Sequence, residues 1–394
     1  MNDSRDTLRR QGFEPSLHAC WYRDAAHFER ERRDIFRREW LCVGREEDLP
    51  QPGDHQLFDL QGESVLLVRN EAGELRAFYN VCRHRGAQLC AAVQDAHEAG
   101  LRGGVLGGRL IRCPYHAWTY DLDGRLINAP FLAEQAGFDP GEIALHPVGV
   151  ASWGGFVFLN LQPGEAPDFV AQIAGVRDRL VRYDLGALRT GAVIDYDVGA
   201  NWKVICENYN ECYHCGPVHP ELCAVVPAFR ERGGADLDWD RGIPHREGAT
   251  TFTATGETER ASFPGLDADE QTRHKGEMLL PNLFLSLARD HVAAFILQPV
   301  GAQETRISCR FLFAADAIPE PGFDPSDAVD FWDRVNRQDW AVCESVQRGM
   351  RASVFSYGAL SPLEDWSLDV RRYVTTRTGL DERGMTHGPD DGGT

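Results

Sequence analysis

Two short segments, Cys82-Arg83-His84 and Cys113-Pro114-Tyr115-His116, set the tightest limit on how this chain can fold. Each offers one thiolate and one imidazole, and each follows a run that reads as a β-strand, ELRAFYN over 74–80 and RLIR over 109–112. The four donors act together only if the two loops meet at their tips. Such a set suits either a tetrahedral zinc ion or a [2Fe–2S] cluster with mixed ligands. Zinc sites usually pair Cys with Cys in one loop and His with His in another, whereas here each loop carries one of each. If both thiolates bind one iron and both imidazoles the other, each loop supplies one ligand to each iron. Gly86 and Pro114 suit tight loops whose backbone N–H groups face the sulfides. The layout favours the iron–sulfur reading.

The surrounding pattern is that of short strands. The runs 62–70 and 74–80 flank Glu71-Ala72-Gly73 as a hairpin, Asp123-Gly124 makes a second turn, and SWGGFVFLNL over 152–161 closes the block. The stretch 91–108 is rich in Ala and Gly and reads as a long loop, which costs little closure entropy. Cys90 and His97 beside it read as bystanders, and Trp118 as packing over the cluster loop.

A second constellation lies in VICENYNECYHCGPVHPEL, 204–222, which holds Glu207, Asn208, Glu211, His214 and His219. Glu211 and His214 share a face if the chain is helical there. His214 and His219 would point about 140° apart on one continuous helix. Gly216-Pro217 between them predicts that the helix ends near Cys215 and that His219 swings back. Downstream, 326–350 reads as a long helix with Ser326 at its cap. Ala328, Phe331, Val335, Asp339, Val342, Val346 and Met350 step along one face, and only Asp339 is polar. A carboxylate buried there without a partner costs several kcal/mol, so a cation must meet it. The partner is an Arg or a metal held by the two histidines; Glu344 faces elsewhere.

Elsewhere, 24–40 reads as an amphipathic helix, 169–183 as a helix after a domain boundary near Pro163, and 191–202, 283–288, 291–300 and 305–313 as strands. Residues 228–275 are polar and Gly-rich, read in part as a flap. Cys212-x-x-Cys215 reads as packing thiols, and His245, His274 and His291 as structural or surface residues. The net charge of −19 argues against a nucleic-acid partner. Lysine occurs only at 203 and 275, a skew that carries no mechanistic weight here. The first residues lack the apolar core of a signal peptide, and Val292–Val300 is too short to span a bilayer. These features point to a cytoplasmic chain with no membrane segment, whose eleven cysteines are thiols or metal ligands.

With both constellations placed, the chain resembles the catalytic α subunit of a Rieske non-haem iron oxygenase over residues 20–380, although the stretch between His84 and Cys113 is longer than usual. The resemblance implies an α+β fold, with a Rieske [2Fe–2S] β-domain and a catalytic domain whose antiparallel sheet wraps a long C-terminal helix (START or helix-grip-like). The implied boundaries are an N-terminal segment 1–40 packed on the catalytic domain, the Rieske domain 41–161, the catalytic domain 162–380 and a disordered tail 381–394. It assigns the cluster to Cys82, His84, Cys113 and His116. Mononuclear Fe(II) falls to His214, His219 and Asp339, the two-histidine, one-carboxylate pattern. Glu211 takes the position of a carboxylate that bridges to a cluster histidine of the next subunit, and Asn208 lies near the iron. Transfer between neighbours implies a homotrimer. With no GxGxxG or flavin motif, electrons come from a separate NAD(P)H-dependent reductase with flavin and iron–sulfur carriers, and O2 is the co-substrate. The segments 207–215, 274–295 and 338–350 resemble the glycine betaine/stachydrine demethylase-like branch. In that branch, hydroxylation of an N-methyl group ends in formaldehyde release. Tyr209, Tyr213, Trp239, Phe284 and Phe295 are the candidates for holding a methylammonium by cation–π contact. The alternative is hydroxylation of an aromatic ring.

Overall fold

The structure, a computed structural model, describes residues 4–91, 104–132 and 135–380. His97, most of the 91–108 stretch and the 381–394 tail lie outside the described residues. The chain divides into two compact units, Arg37–Phe169 and a second made of Met1–Phe36 with Val170–Thr394.

The first unit is built from antiparallel strands. Six form one sheet in the order Leu41–Arg45, Phe156–Asn160, Pro147–Trp153, Leu75–Tyr79, Glu63–Arg69, His55–Leu60. Four short strands, Gly104–Leu106, Leu110–Arg112, Thr119–Tyr120 and Leu126–Asn128, form another. Leu66, Val68, Phe78, Ile111, Trp118 and Tyr120 share one core with Cys82 and Cys113, so the cysteine ends of both loops are anchored in packed side chains. The Asp123-Gly124 turn is fixed by space as well as by backbone. Gly124 has φ +85°, and a Cβ there would lie 2.5 Å from the Phe78 ring. Cys90 is a buried thiol of the same core, pushed up to about 11 by burial, which fits a packing role.

In the second unit six antiparallel strands run in the order Leu188–Val198, Glu304–Ala314, Val292–Gly301, Leu283–Leu287, Arg273–Leu279, Ile243–Pro244. Ile307, Cys309, Phe311 and Phe313 are buried, as the alternation requires. The helix Ser326–Gly349 packs against this sheet. Tyr196 Oη donates to Asp333 at 2.8 Å, and Trp332 Nε1 donates to His291 Nε2 at 3.1 Å.

Several expectations need correction. The 24–40 segment is not one helix. Asp24 is extended (φ −91°, ψ 131°) between the pieces Cys20–Arg23 and Ala25–Glu31, and the helical course ends at Phe36. Ser326 does not cap the long helix; Pro325 holds that position, and Asp324 Oδ1 accepts from the Ser326 N–H at 2.9 Å. Beyond Asp339 the buried face turns by one residue, from Val342 and Val346 to Cys343 and Gln347. The cause is polar. Gln347 Oε1 accepts from Asn201 N at 2.9 Å and its Nε2 donates to Tyr22 O at 2.9 Å, while Val346 is exposed. Residues 228–275 pack Phe229, Ile243, Phe252 and Phe263 into the interior, and a strand begins at Arg273. Both lysines are structural. Lys203 donates to Glu31 at 2.6 Å with both side chains fully buried, and Lys275 donates to Glu270 at 3.0 Å. The buried Lys203–Glu31 pair ties the N-terminal helices to the helix Trp202–Tyr209, and Trp202 Nε1 donates to the same carboxylate at 2.8 Å.

Candidate metal centres

The two loops of the first unit are closed by their own backbones. The Cys82 N–H donates to Ala87 O at 2.8 Å and the Gly86 N–H to Cys82 O at 3.0 Å. In the second loop the Cys113 N–H donates to Trp118 O at 2.8 Å. The closures leave both sulfurs inside and both imidazoles together. Cys82 and Cys113 are buried, and the His84 and His116 ring centroids lie 4.6 Å apart. Burial raises the Cys113 thiol, and the neighbouring Cys82 raises it further. His116 Nδ1 is buried with no hydrogen-bond partner, and Trp118 stacks on His84 at 4.8 Å and 8°. Thiols side by side, imidazoles side by side and an inward nitrogen without a partner fit a [2Fe–2S] cluster with one iron for each ligand type.

The second centre grows from the helix Trp202–Tyr209. Asn201 caps it, its Oδ1 accepting from Lys203 N at 3.0 Å. The helix stops at Tyr209, well before the expected Cys215, so Glu211 and His214 meet across a turn and not along a helix face. Glu211 Oε2 accepts from the backbone N–H groups of Tyr213 and His214 and so shapes that turn. Gly216-Pro217 does not break the chain either, for both sit in the single helical turn Cys215–Val218. The change of direction falls on His219 (φ −120°, ψ 70°), with Pro220 starting the next helix, Pro220–Val225.

His214, His219 and Asp339 converge. One donor atom from each lies within 4.8 Å of the other two. Asp339 Oδ1 is 3.3 Å from His214 Nε2 and 2.9 Å from His219 Nε2. The other ring nitrogens are held from behind, His214 Nδ1 by Glu211 Oε1 at 2.5 Å and His219 Nδ1 by Gln338 Oε1 at 2.8 Å. Such outer contacts fix which nitrogen faces the centre. Asn208 Nδ2 stands 3.3 Å from His214 Nε2. Burial would lower the His214 pKa, but hydrogen bonds with Asp339 and Glu211 overcome it and push it up to about 10. For Asp339, burial raises the pKa, and the two histidines outweigh it and hold the carboxyl low. The surroundings therefore favour positive charge between the imidazoles, where a divalent metal fits.

Gln338 was missed in the sequence, as was Glu221, whose Oε2 accepts from Gln338 Nε2 at 3.2 Å. The only sequence signal was that Gln338 adjoins Asp339. The Cys212–Cys215 pair corrects a further expectation, since the structure joins the two sulfurs as a disulfide next to Glu211 and His214.

A cavity of about 290 Å³ opens on the triad. Of the five aromatic candidates Tyr209 and Trp239 line it, while Tyr213, Phe284 and Phe295 do not; Phe229, Trp332, Trp366 and His274 do. His274 is thus buried and not on the surface, and burial pushes it down to about 3, so it is neutral. His291 is buried and structural, its Nδ1 3.0 Å from Asp290 Oδ1. The described lining carries the carboxyl groups of Glu211, Asp240, Glu277, Asp339 and Asp369 against the single guanidinium of Arg179.

Comparison with known proteins agrees with this layout. Residues 39–146 match the Rieske [2Fe-2S] domain, and residues 185–377 match the ring hydroxylating alpha subunit (catalytic domain). The glycine betaine monooxygenase oxygenase subunit of Chromohalobacter salexigens is 31% identical over 390 residues, covering 90% of this chain and 84% of the relative. A crystal structure of the quaternary ammonium Rieske monooxygenase CntA in complex with L-carnitine is similar with TM-score 0.70 and 26% identity, over 94% of this chain and 97% of that one. Naphthalene 1,2-dioxygenase from Rhodococcus sp. shares the fold, with TM-score 0.65 and 21% identity over 92% of this chain and 89% of that one. Among the described residues no helix is long and apolar enough to cross a membrane.

Glu207 sits on the same helix as Asn208 and accepts from Tyr22 Oη at 2.6 Å. Burial pushes its pKa from 4.5 up to about 7, against the pull of Tyr22 and Lys203. The folded state therefore binds a proton there that the unfolded chain has released, and this contribution to stability falls as pH rises from about 4.5 to 7. Glu207→Gln keeps an acceptor for Tyr22 and is expected to flatten that fall, stabilising the protein at pH 8 by up to about 3 kcal/mol. Urea unfolding at pH 5 and pH 8 checks this; parallel losses in both proteins would show that Glu207 is not the titrating group.

Proposed function

This chain belongs to the family of Rieske-type ring-hydroxylating oxygenase α subunits, and from that premise we propose that it is a terminal oxygenase that oxidises a betaine-like quaternary ammonium compound at an N-methyl group. The single observation that carries the substrate class is the cavity beside the triad, where Tyr209, Phe229, Trp239 and Trp332 stand among five carboxyl groups and one guanidinium. The lining stays net negative even with a divalent ion at the triad, which suits a cation. A desolvated methylammonium on an aromatic face gains about 2 kcal/mol. The oxygenase acts on a small molecule with O2 and draws electrons from a separate reductase; an NAD(P)H-dependent reductase and a homotrimeric assembly belong to the proposal. The names of the similar proteins, glycine betaine and carnitine monooxygenase oxygenase subunits, support the reading.

In this reading Cys82, Cys113, His84 and His116 hold the cluster, and His214, His219 and Asp339 hold the mononuclear iron. When bound, these centres supply activation of O2 and the electrons for it. The chain's own residues position and shield. Glu211 and Gln338 lock the imidazoles so that both Nε2 atoms face the open side. Asn208 places a side-chain amide next to them. The aromatic walls hold the ammonium with a methyl towards the triad and keep bulk water out. One methyl C–H becomes C–OH, and the second oxygen atom leaves as water with two electrons and two protons. The N-hydroxymethyl product then loses formaldehyde and a proton to give the demethylated amine. Glu211, which already holds His214 Nδ1, would in this reading also accept a hydrogen bond from a cluster histidine of a neighbouring copy and so bridge the two centres.

The test is O2 uptake with a supplied reductase across glycine betaine, stachydrine, carnitine, benzoates and arenes. Formaldehyde formed in step with O2 consumption on a betaine is expected; uptake coupled only to arenes would overturn the reading. Glu211→Gln should keep both metal centres and slow cluster oxidation in a single turnover by roughly tenfold or more. A wild-type rate in that variant would remove the bridging role.

A further inference from the structure

One ring of the cavity wall is tied from behind to a buried charge. On the helix Ser326–Gly349, Trp332, Val335 and Asp339 step by three and four, and all three line the cavity. Trp332 therefore stands on the same helical face as Asp339, about 10 Å along the axis. Its polar corner turns inward. Trp332 Nε1 donates to His291 Nε2 at 3.1 Å, and His291 is fully buried. An indole N–H only donates, so Nε2 is the acceptor and the imidazole proton sits on Nδ1, which donates to Asp290 Oδ1 at 3.0 Å. Asp290 is buried too, its Oδ1 accepting also from Thr251 Oγ1 and its Oδ2 from Arg260 Nε at 2.9 Å. Arg260 is shared, since Asp327 accepts from its Nη1 and Nη2 at 2.6 and 3.1 Å. Two carboxylates against one guanidinium leave these three groups one net negative charge. Burial would raise the Asp290 pKa, but His291, Thr251 and Arg260 outweigh it and hold the carboxyl low, so the charge is present.

This chain of hydrogen bonds acts on the ring in two ways. The first is positional. With its one polar atom satisfied inside, the indole offers the cavity only carbon, and turning it would strand a buried donor. Phe252 and Phe295 pack edge-on against it, with centroids at 5.1 and 6.3 Å. The second is electrostatic. Hydrogen bonds in a chain polarise one another, so the negative end at Asp290 draws the indole proton outward and deepens the negative potential of the ring. A neutral hydrocarbon group gains nothing from that potential, whereas a desolvated cation does. Tyr209, on another part of the wall, gives its Oη to the uncharged carbonyl of Leu285 at 2.9 Å and lacks this source of charge.

Building on the oxygenase reading above, we propose that the Asp290–His291 pair polarises Trp332 and makes its ring the surface that recognises the substrate's quaternary ammonium. Asp290 and His291 are positioning residues, acting through the indole N–H without touching substrate. Trp332 is the specificity-determining residue. The relay separates a trimethylammonium group from a tert-butyl group of the same shape.

The test is anaerobic calorimetry on the resting holoenzyme with glycine betaine and with 3,3-dimethylbutanoate, which keeps the shape and the carboxylate but has carbon in place of the charged nitrogen. The wild type should bind glycine betaine at least roughly tenfold more tightly. Asp290→Asn should lower that ratio roughly threefold or more and leave the affinity for 3,3-dimethylbutanoate within about twofold. Trp332→Phe should lower the ratio as well, and adding Asp290→Asn to it should change nothing further, because no N–H is left to polarise. His291→Gln, which offers an acceptor to the indole and a donor to Asp290, should keep the wild-type ratio, and His291→Leu should lose it. Each variant is first checked for full iron and sulfide content, so that a folding defect is not read as selectivity. Equal binding of the two compounds by the wild type overturns the proposal. So does a loss in Asp290→Asn that falls equally on both ligands, as a purely structural role requires, or one that persists in the Trp332→Phe background. If glycine betaine is still oxidised with formaldehyde release in those cases, the oxygenase reading stands and only the relay falls. Binding of neither compound by the wild type overturns this proposal and the quaternary ammonium reading together.

Discussion

The catalytic unit depends on one contact, the Asp339 carboxylate against the Nε2 atoms of His214 and His219. A carboxylate on the buried face of a long helix destabilises the fold unless positive charge meets it. The histidines that meet it come from the turn and the short helices after Tyr209, more than a hundred residues away in sequence. The contact therefore fixes the long helix against the turn and short helices that carry the histidines. Glu211 and Gln338 then leave the imidazoles one orientation, with the donor atoms inward.

The scaffold behind this centre is held by other buried polar groups. Lys203 and Glu31 are fully buried and paired. Glu207 keeps a proton near neutrality through burial beside Tyr22. Gln347 joins Asn201 to Tyr22 and so links the long helix to both the capped helix and the N-terminal segment. Breaking the Lys203–Glu31 pair would leave an uncompensated charge inside, which costs far more than a surface salt bridge returns. These contacts hold the N-terminal segment in the catalytic unit, although its sequence carries no chemistry of its own.

Legibility followed from how local each signal was. The cluster loops were readable because ligand type and spacing are local, and the strands beside them alternate cleanly. Asp339 was readable because one polar residue interrupted an apolar stripe. What failed depended on partners distant in sequence. The helix face turned after Asp339 because Gln347 found Asn201 and Tyr22, and no periodicity records that. The early end at Tyr209 reflects the hold of Glu211 on the next backbone N–H groups. Gln338 and His274 became visible only when the cavity and its back wall closed. The two lysines looked like a compositional accident and proved to be the buried halves of ion pairs.

The most direct test is the metal and acid-labile sulfide content of the as-isolated protein beside that of Asp339→Ala. The wild type is expected to hold iron and sulfide in the ratio three to two per chain, two irons in a mixed-ligand cluster and one at the triad. The variant should lose one iron and keep both sulfides and the visible spectrum of the cluster. Zinc in place of iron in the wild type, or a full iron complement retained in Asp339→Ala, would contradict the account.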